Sequence, residues 1–311
     1  MPADMVSIGL VCADVLVRPV DALPALGTLG LVDTLDMQVG GLAGVTAAVF
    51  AHLGGQAAFI GRVGDDAFGR QSLQVLEQAG VDTQYTKRDP AHGTPATVVL
   101  VRSDGERTFL HHLGAAAALA PEDLDEQLIY GARAVHWGGP GVTPKLDGDP
   151  MTRLFKEARA RGVITSFDTC FDGEGIWLPR IATVLPHTDI VFSSREEALH
   201  ITGEEEPEAM ARFFQNRGVG TVVIKLGAEG LHAYAGEQAV RFPAHAVSAV
   251  DTTGAGDAAC AGFLHGRLAG WDLERCARYA NAVGALSVQV AGAVNAISAP
   301  EQVEIQMEGA V

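Results

Sequence analysis

Four short apolar runs spaced through the second half of the chain constrain its fold most: Ala134 to Trp137, Val163 to Asp168, Ile190 to Phe192 and Thr221 to Lys225. Each has the length of a strand, and stretches with helical spacing fall between them at Pro150 to Arg161, Arg195 to Ile201 and Pro207 to Asn216. Such alternation predicts a mainly parallel sheet covered on both faces, because each parallel crossover needs a helix and each helix must bury its apolar side. The first half starts similarly, with a strand at Val6 to Val11, a helix from Gly44 to Leu53 closing on Gly54-Gly55, a strand at Ala57 to Gly61, and a helix opening at Asp65-Asp66 and ending near Gly80. Thr97 to Arg102 and Arg107 to His112 predict a hairpin about Asp104-Gly105, and Leu231 to Tyr234 with Ala239 to Phe242 a second one about Ala235-Gly236-Glu237. Helices at Gly256 to Ala269 and Leu273 to Val290 close the chain. Arg18 to Val39 and Thr97 to His112 break the alternation and suit a small β flap on the main sheet. No internal repeat or low-complexity linker divides residues 1–311, so a single α/β domain is expected.

The hydrophobic content of 48% is enough for a large core. A net charge of −16 argues against nucleic acid or an anionic membrane as partner, since both need clustered Lys and Arg. It does not exclude a small anionic ligand, which backbone amides can bind. The 4 Cys, at 12, 170, 260 and 276, show no CxxC or zinc spacing and read as thiols of a reducing compartment. Met1 to Val11 lacks a basic leader with a long apolar core, and no run approaches the length of a membrane span, so a soluble cytoplasmic protein is expected.

The stretch Asp251 to Gly266, DTTGAGDAACAGFLHG, sets a glycine turn at the start of a helix. The amides of Gly254, Ala255 and Gly256 are among those a helix cannot satisfy internally, and the positive end of the helix dipole stands behind them. That makes an anion site, with Asp257 at its edge. A carboxylate beside an anion makes sense where it takes a proton from a hydroxyl that attacks the anion, as in phosphoryl transfer to an alcohol. On local chemistry alone the same acid also serves simply to complement the dipole. GAGDAA satisfies the dinucleotide pattern G-x-G-x-x-A, but it sits near the C-terminus with helices after it, which disfavours a nicotinamide-dependent oxidoreductase. No G-x-x-x-x-G-K-[ST] loop occurs.

DTTGAGDAACAGFLHG closely resembles the C-terminal signature of the ribokinase-like, or PfkB, carbohydrate kinases, and the run from Gly40 to Gly69, GGLAGVTAAVFAHLGGQAAFIGRVGDDAFG, resembles their N-terminal signature. The resemblance covers nearly the whole chain. It implies a three-layer α/β/α fold with a mainly parallel central sheet and a β-sheet lid, here about residues 15–39 and 95–113. It implies ATP-dependent phosphorylation, with Mg²⁺ and a monovalent cation, K⁺, as cofactors. Asp257 would be the general base, and Gly254, Ala255 and Gly256 would hold the transferred phosphoryl group. Asp251 and Thr253 resemble the monovalent-cation positions, and Ser194 to Glu197, SREE, aligns with the N-x-x-E element whose Glu orders the water shell of Mg²⁺. Lys225, Gly227, Ala228 and Gly230 resemble the loop along the nucleotide, and Asn281 a position lining the adenine pocket. Asp14, at the end of the first strand, and Gly40 and Gly41 resemble the groups that grip sugar hydroxyls; His112 is the expected lid contact of the tandem His111-His112.

Three positions depart from the family's usual Asn: Val45, Ser194 and Ala116. Val45 implies a changed hydroxyl pattern or a less polar substrate face. A fourth departure places Asp172 where relatives acting on fructose or keto-deoxy-gluconate carry Arg; near the pocket it would repel an anionic acceptor, so a neutral sugar or nucleoside is expected. The missing Asn residues also leave open a non-catalytic sugar or nucleotide sensor on the same scaffold. An open edge strand of the lid makes a homodimer plausible.

Overall fold

A computed structural model describes residues 3–297 and 299–308. Strand β1 (Met5–Gly9) leads almost directly into β2 (Cys12–Arg18), and a long connection reaches β3 (Thr34–Gly40) and helix α1 (Leu42–His52). Next come β4 (Ala57–Ile60), β5 (Arg62–Gly64), α2 (Ala67–Gln78), β6 (Lys87–Asp89), β7 (Ala96–Val101) and β8 (Arg107–His112). The alternating part follows as α3 (Glu126–Gly131), β9 (Ala134–Gly138), α4 (Asp149–Ala160), β10 (Ile164–Asp168), α5 (Leu178–Ile181), β11 (Ile190–Ser194), α6 (Arg195–Thr202), α7 (Pro207–Gln215) and β12 (Thr221–Lys225). The hairpin β13 (Leu231–Ala235) and β14 (Gln238–Phe242) precedes α8 (Ala255–Leu268), α9 (Leu273–Ser287) and α10 (Glu301–Glu308).

The main sheet has eight strands in the order β14–β13–β12–β11–β10–β9–β1–β4. It is parallel from β4 to β12, and the hairpin extends it antiparallel. Successive side chains of a strand point to opposite faces. Met5 accordingly joins one core, with Phe50 of α1 and Phe263 of α8, while Val6 and Ile8 join the other, with Phe155 of α4 and Phe214 of α7. Burial on both faces is why these strands read as continuous apolar runs.

The first strand does not run on to Val11 as the sequence suggests. Leu10 N still donates to Gly138 O of the main sheet, but Ala13 N donates to Pro95 O, so the chain changes partners within three residues. It then enters a separate four-stranded sheet in the order β3–β2–β7–β8. This small sheet begins at Cys12, earlier than the expected lid boundary. Its register aligns Gln38, Asp14, Thr97 and His111 in one cross-strand row, hence on one face.

Helix α1 links the small sheet to the core. Its residues from Ala43 to Phe50 are all buried, as expected of a helix apolar all round. Thr46 Oγ1 donates to Asp257 O at 3.2 Å, which ties α1 to the first turn of α8. Gly41 makes the corner before α1 at φ 93°, where a Cβ would stand 2.7 Å from Leu10 O. Gly41→Ala is expected to cost about 1–3 kcal/mol through strain and this clash, read as a lower midpoint in urea unfolding of the ligand-free protein.

Candidate active site

The carboxyl ends of β10, β11 and β12 and the start of α8 meet at one edge of the main sheet, where open α/β sheets place their ligand crevice. Gly254 caps α8 at φ 78°, and a Cβ there would stand 2.7 Å from Ala293 Cβ, so the turn admits no side chain. In the first turn, Gly256 and Asp257 have no carbonyl four residues back within the helix, and their amides stay available; the Ala255 amide makes a long 3.4 Å bond to Thr252 O.

This turn walls two cavities. A large one of about 640 Å³ is lined by Ser194, Lys225, Gly227, Ala228 and Gly230 on one side and Ala255, Gly256 and Asn281 on the other. A small one of about 30 Å³ lies across the turn, among Asp14, Gly40, Gly41, Val45, Asp251, Thr253, Gly254 and Asp257. The expected nucleotide residues thus fall together in one space, and the expected acceptor residues other than His112 in the other. Asn281 lines the large cavity, and its Nδ2 donates to Pro243 O at 2.8 Å. Val45 is buried and packs toward Gly254 rather than offering a polar group.

Two placements differ from the sequence expectation. Asp14 is not at the end of the first strand but inside β2, because of the change of sheet at Leu10. Its approach requires glycine at position 40, where a Cβ would stand 1.9 Å from Asp14 Oδ2. His111, not His112, shares the face of Asp14: its Nδ1 lies 3.0 Å from Thr97 Oγ1. Adjacent strand residues point oppositely, so His112 is directed to the other face and is exposed.

Ser194 explains its own departure from Asn. It is the N-cap of α6, its Oγ accepting from Glu197 N at 3.2 Å, while Glu197 Oε2 accepts from Ser194 N at 3.1 Å and from Thr169 Oγ1 at 2.6 Å. Ser and Asn cap helices about equally well. Glu197 is therefore fixed by a capping box with one carboxylate oxygen engaged. Among the described residues, no cluster of three or more His, Cys, Asp or Glu is arranged to hold a metal ion unaided.

The pairing that sequence reasoning missed is Asp168 with Lys225. Lys225 Nζ lies 2.6 Å from both carboxylate oxygens of Asp168, and Cys260 Sγ donates to Asp168 Oδ2 at 3.4 Å. A side chain on Gly256 would stand 3.0 Å from that Nζ, so the ammonium sits directly beside the helix turn. The available signal was an acid and a base each closing a predicted strand, one strand apart in the sheet. Burial pushes Asp257 well above the usual carboxylate range, and the charge of Asp168 adds to this; Lys225 works against both. Burial also raises Asp168, opposed by Lys225.

Asp172, expected to act on the acceptor if it lay near the pocket, lines neither cavity. Arg180 Nε donates to its Oδ2 at 2.8 Å and Trp177 N at 2.6 Å, and Glu174 N donates to its Oδ1 at 3.0 Å. Burial opposes its ionisation, but these donors outweigh burial and hold it below the usual range. Its charge is spent within its own loop.

Asp168→Asn is expected to lower unfolding stability by about 3 kcal/mol, the low end for a broken buried pair because Asp257 and Glu197 still face Lys225. The double variant with Lys225→Met is expected to recover most of this, and a denaturant double-mutant cycle measures it.

Comparison with known proteins agrees with this geometry. Residues 2–300 match the model of the pfkB family carbohydrate kinases. An ATP-dependent ribose-1-phosphate kinase of Halopiger xanaduensis is 34% identical over 296 residues, 95% of this chain and 94% of that one. An aminoimidazole riboside kinase of Salmonella typhimurium is 31% identical over 276 residues, 85% of this chain and 86% of that one. Among solved structures, Arabidopsis thaliana ribokinase complexed with ribose and ATP superposes with a TM-score of 0.85 at 27% identity, covering 99% of both chains. An Escherichia coli protein described as a ribokinase II, solved with ATP and Mg²⁺, superposes with a TM-score of 0.85 at 25% identity over 99% of both. With two cavities separated by one helix turn and a family match along nearly its whole length, the chain belongs to the pfkB family of carbohydrate kinases.

Proposed function

We propose that this protein transfers the terminal phosphoryl group of ATP to a hydroxyl of a neutral sugar or nucleoside, with Asp257 as general base. The observation that carries the reading is the first turn of α8 standing between a nucleotide-sized cavity and one containing Asp14 and Asp257. An aminoimidazole riboside kinase and a ribokinase complexed with ribose support a pentose-like or riboside acceptor, whereas the acceptor of the ribose-1-phosphate kinase carries a phosphate of its own, so ribose 1-phosphate belongs in the test against the neutral sugars. The small cavity carries three carboxylates, Asp14, Asp251 and Asp257, and no Lys or Arg, so an acceptor without its own negative charge fits best.

In this mechanism Asp14 and Asp257 orient the acceptor, and Asp257 removes the proton as the oxygen attacks. The turn amides and Lys225 meet the negative charge spread over the transferred group. Lys225 would exchange part of its bond to Asp168 for the phosphates. Glu197, with its second carboxylate oxygen, would hold water around a Mg²⁺ bound with ATP, which would supply further charge neutralisation. No requirement for K⁺ is part of the reading, because Asp251 and Thr253 already have Arg107 against them.

A cavity of about 30 Å³ has room for little more than a water molecule, so acceptor entry needs the small sheet to lift and close again as a lid. The lid strands and the main sheet form one kinase unit in this reading. The far face of the lid, with Leu35 and Leu110 more than half exposed, suits pairing with a second copy, which sedimentation of the free protein tests. No helix among the described residues is long and apolar enough to cross a membrane. Four free thiols and a need for ATP suit the cytoplasm.

ADP release with ATP·Mg²⁺ and a panel of pentoses, hexoses, polyols and nucleosides is the direct test: turnover with a neutral acceptor is expected, and preference for a sugar acid or phosphate would overturn the acceptor class. Asp257→Asn is expected to abolish transfer, by roughly 10³-fold or more, while nucleotide binding by calorimetry is retained. The raised Asp257 carboxyl also has a stability consequence. A folded-state value above 3.8 contributes stability that is fully present below 3.8 and lost as pH rises through the raised value. The melting temperature of the ligand-free protein is therefore expected to fall from mildly acidic to mildly alkaline pH more steeply than that of Asp257→Asn.

A further inference from the structure

The loop that precedes the helix turn is held from outside by a single cation. Arg107, the first residue of β8, reaches from the small sheet across to it. Nη1 donates to Thr253 Oγ1 at 2.8 Å, Nη2 donates to Thr252 Oγ1 at 2.5 Å, and Nη1 stands 3.7 Å from Asp251 Oδ1. Both Asp251 oxygens are already engaged, Oδ1 by Thr253 N at 2.9 Å and Oδ2 by Gly292 N at 3.3 Å. The Asp251 side chain is nearly fully buried, and that of Arg107 is mostly so. The two hydroxyls that Arg107 grips belong to the residues immediately before Gly254.

We propose that Arg107 is a positioning residue for phosphoryl transfer: from the small sheet it fixes the Asp251 to Thr253 loop, and through it the amides that receive the phosphoryl group, in place of a bound monovalent cation. The inference rests on the kinase reading above but on separate residues. A monovalent cation and a guanidinium cannot share Thr253 and Asp251. The Thr253 hydroxyl already accepts from Nη1 and both Asp251 oxygens already accept from backbone amides, and a second positive charge beside the guanidinium would be repelled, more strongly in a partly buried site than in water. Guanidinium carries a fixed fork of donors and no titration near neutrality, so it supplies the charge permanently. It also links the two halves of the site. With the small sheet over Asp14, Arg107 is on the loop and the amides are ordered; with the sheet lifted, the contact breaks and the turn loses its external support. Phosphoryl acceptance is thereby restricted to the closed arrangement, which limits transfer to water.

The test compares the unmodified protein with Arg107→Ala and Arg107→Lys in buffers containing K⁺, Na⁺ or only tetramethylammonium. The unmodified protein is expected to keep kcat within about twofold across all three, whereas Arg107→Ala loses roughly tenfold or more in tetramethylammonium, mainly in kcat, and regains part of it with K⁺. Arg107→Lys, which keeps the charge without the fork, is expected to fall between them and serves if the alanine variant fails to fold. A readout without turnover accompanies this: K⁺ is expected to raise the melting temperature of Arg107→Ala and leave that of the unmodified protein unchanged. Strong K⁺ activation and K⁺ stabilisation of the unmodified protein would overturn the proposal, as would an alanine variant with undiminished kcat. Absence of any sugar or nucleoside phosphorylation by the unmodified protein would instead remove the kinase reading, while the melting experiment still decides whether Arg107 occupies the cation's place.

Discussion

The balance of charge around the Asp168–Lys225 pair governs this site. Asp168, Asp257 and Glu197 lie close enough to act on one another, and Lys225 is the ammonium among them. Without it, three carboxylates would crowd the end of a buried sheet, and the least costly response would be to bind protons. With it, the edge of the sheet holds a carboxyl, Asp257, whose hold on its proton burial has strengthened, and a cation already placed beside the helix turn. Both members close strands of the main sheet, so the sheet itself sets their separation.

The small sheet complements this rigid edge. It carries the row of Gln38, Asp14, Thr97 and His111 on the face of the small cavity, and Arg107 at the start of its last strand. Gln38 Oε1 is buried without a hydrogen-bond partner, and its side chain borders the small cavity, so the row still has an unmet polar group facing the acceptor space. An unpaired buried amide oxygen is costly, and a substrate hydroxyl would relieve it. Val45 and Val39 supply the apolar part of the same wall.

What the sequence made legible follows from what is local. Both hairpins, the alternating second half and the turn before α8 were readable because period, turn residues and capping act within a few positions. The match of Ser194 to a family Asn became intelligible only with the capping box in view, although Ser and Glu three apart was its sequence sign. Contacts between distant segments were not readable. Asp168 meets Lys225 across 57 positions, and Arg107 meets Thr253 across 146. Asp172 was misjudged for the same reason: its partner Arg180 lies in the next helix, and only the folded loop shows that the charge is matched. The departure of the chain into the small sheet at Leu10 depends on which strand offers the next carbonyl, and no local pattern encodes that.

Two carboxylates of the site have a sulfur beside them, with Cys12 Sγ at 3.1 Å from Asp14 Oδ1 and Cys260 Sγ at 3.4 Å from Asp168 Oδ2. Burial, and then the neighbouring acid, pushes both thiols well above the ordinary cysteine range. Peroxide and alkylating reagents attack the thiolate, the form that burial and the neighbouring acid disfavour at both sulfurs. The acids beside these two sulfurs thus also make each thiolate harder to form, and the protein can keep cysteine where an exposed thiol would be a liability.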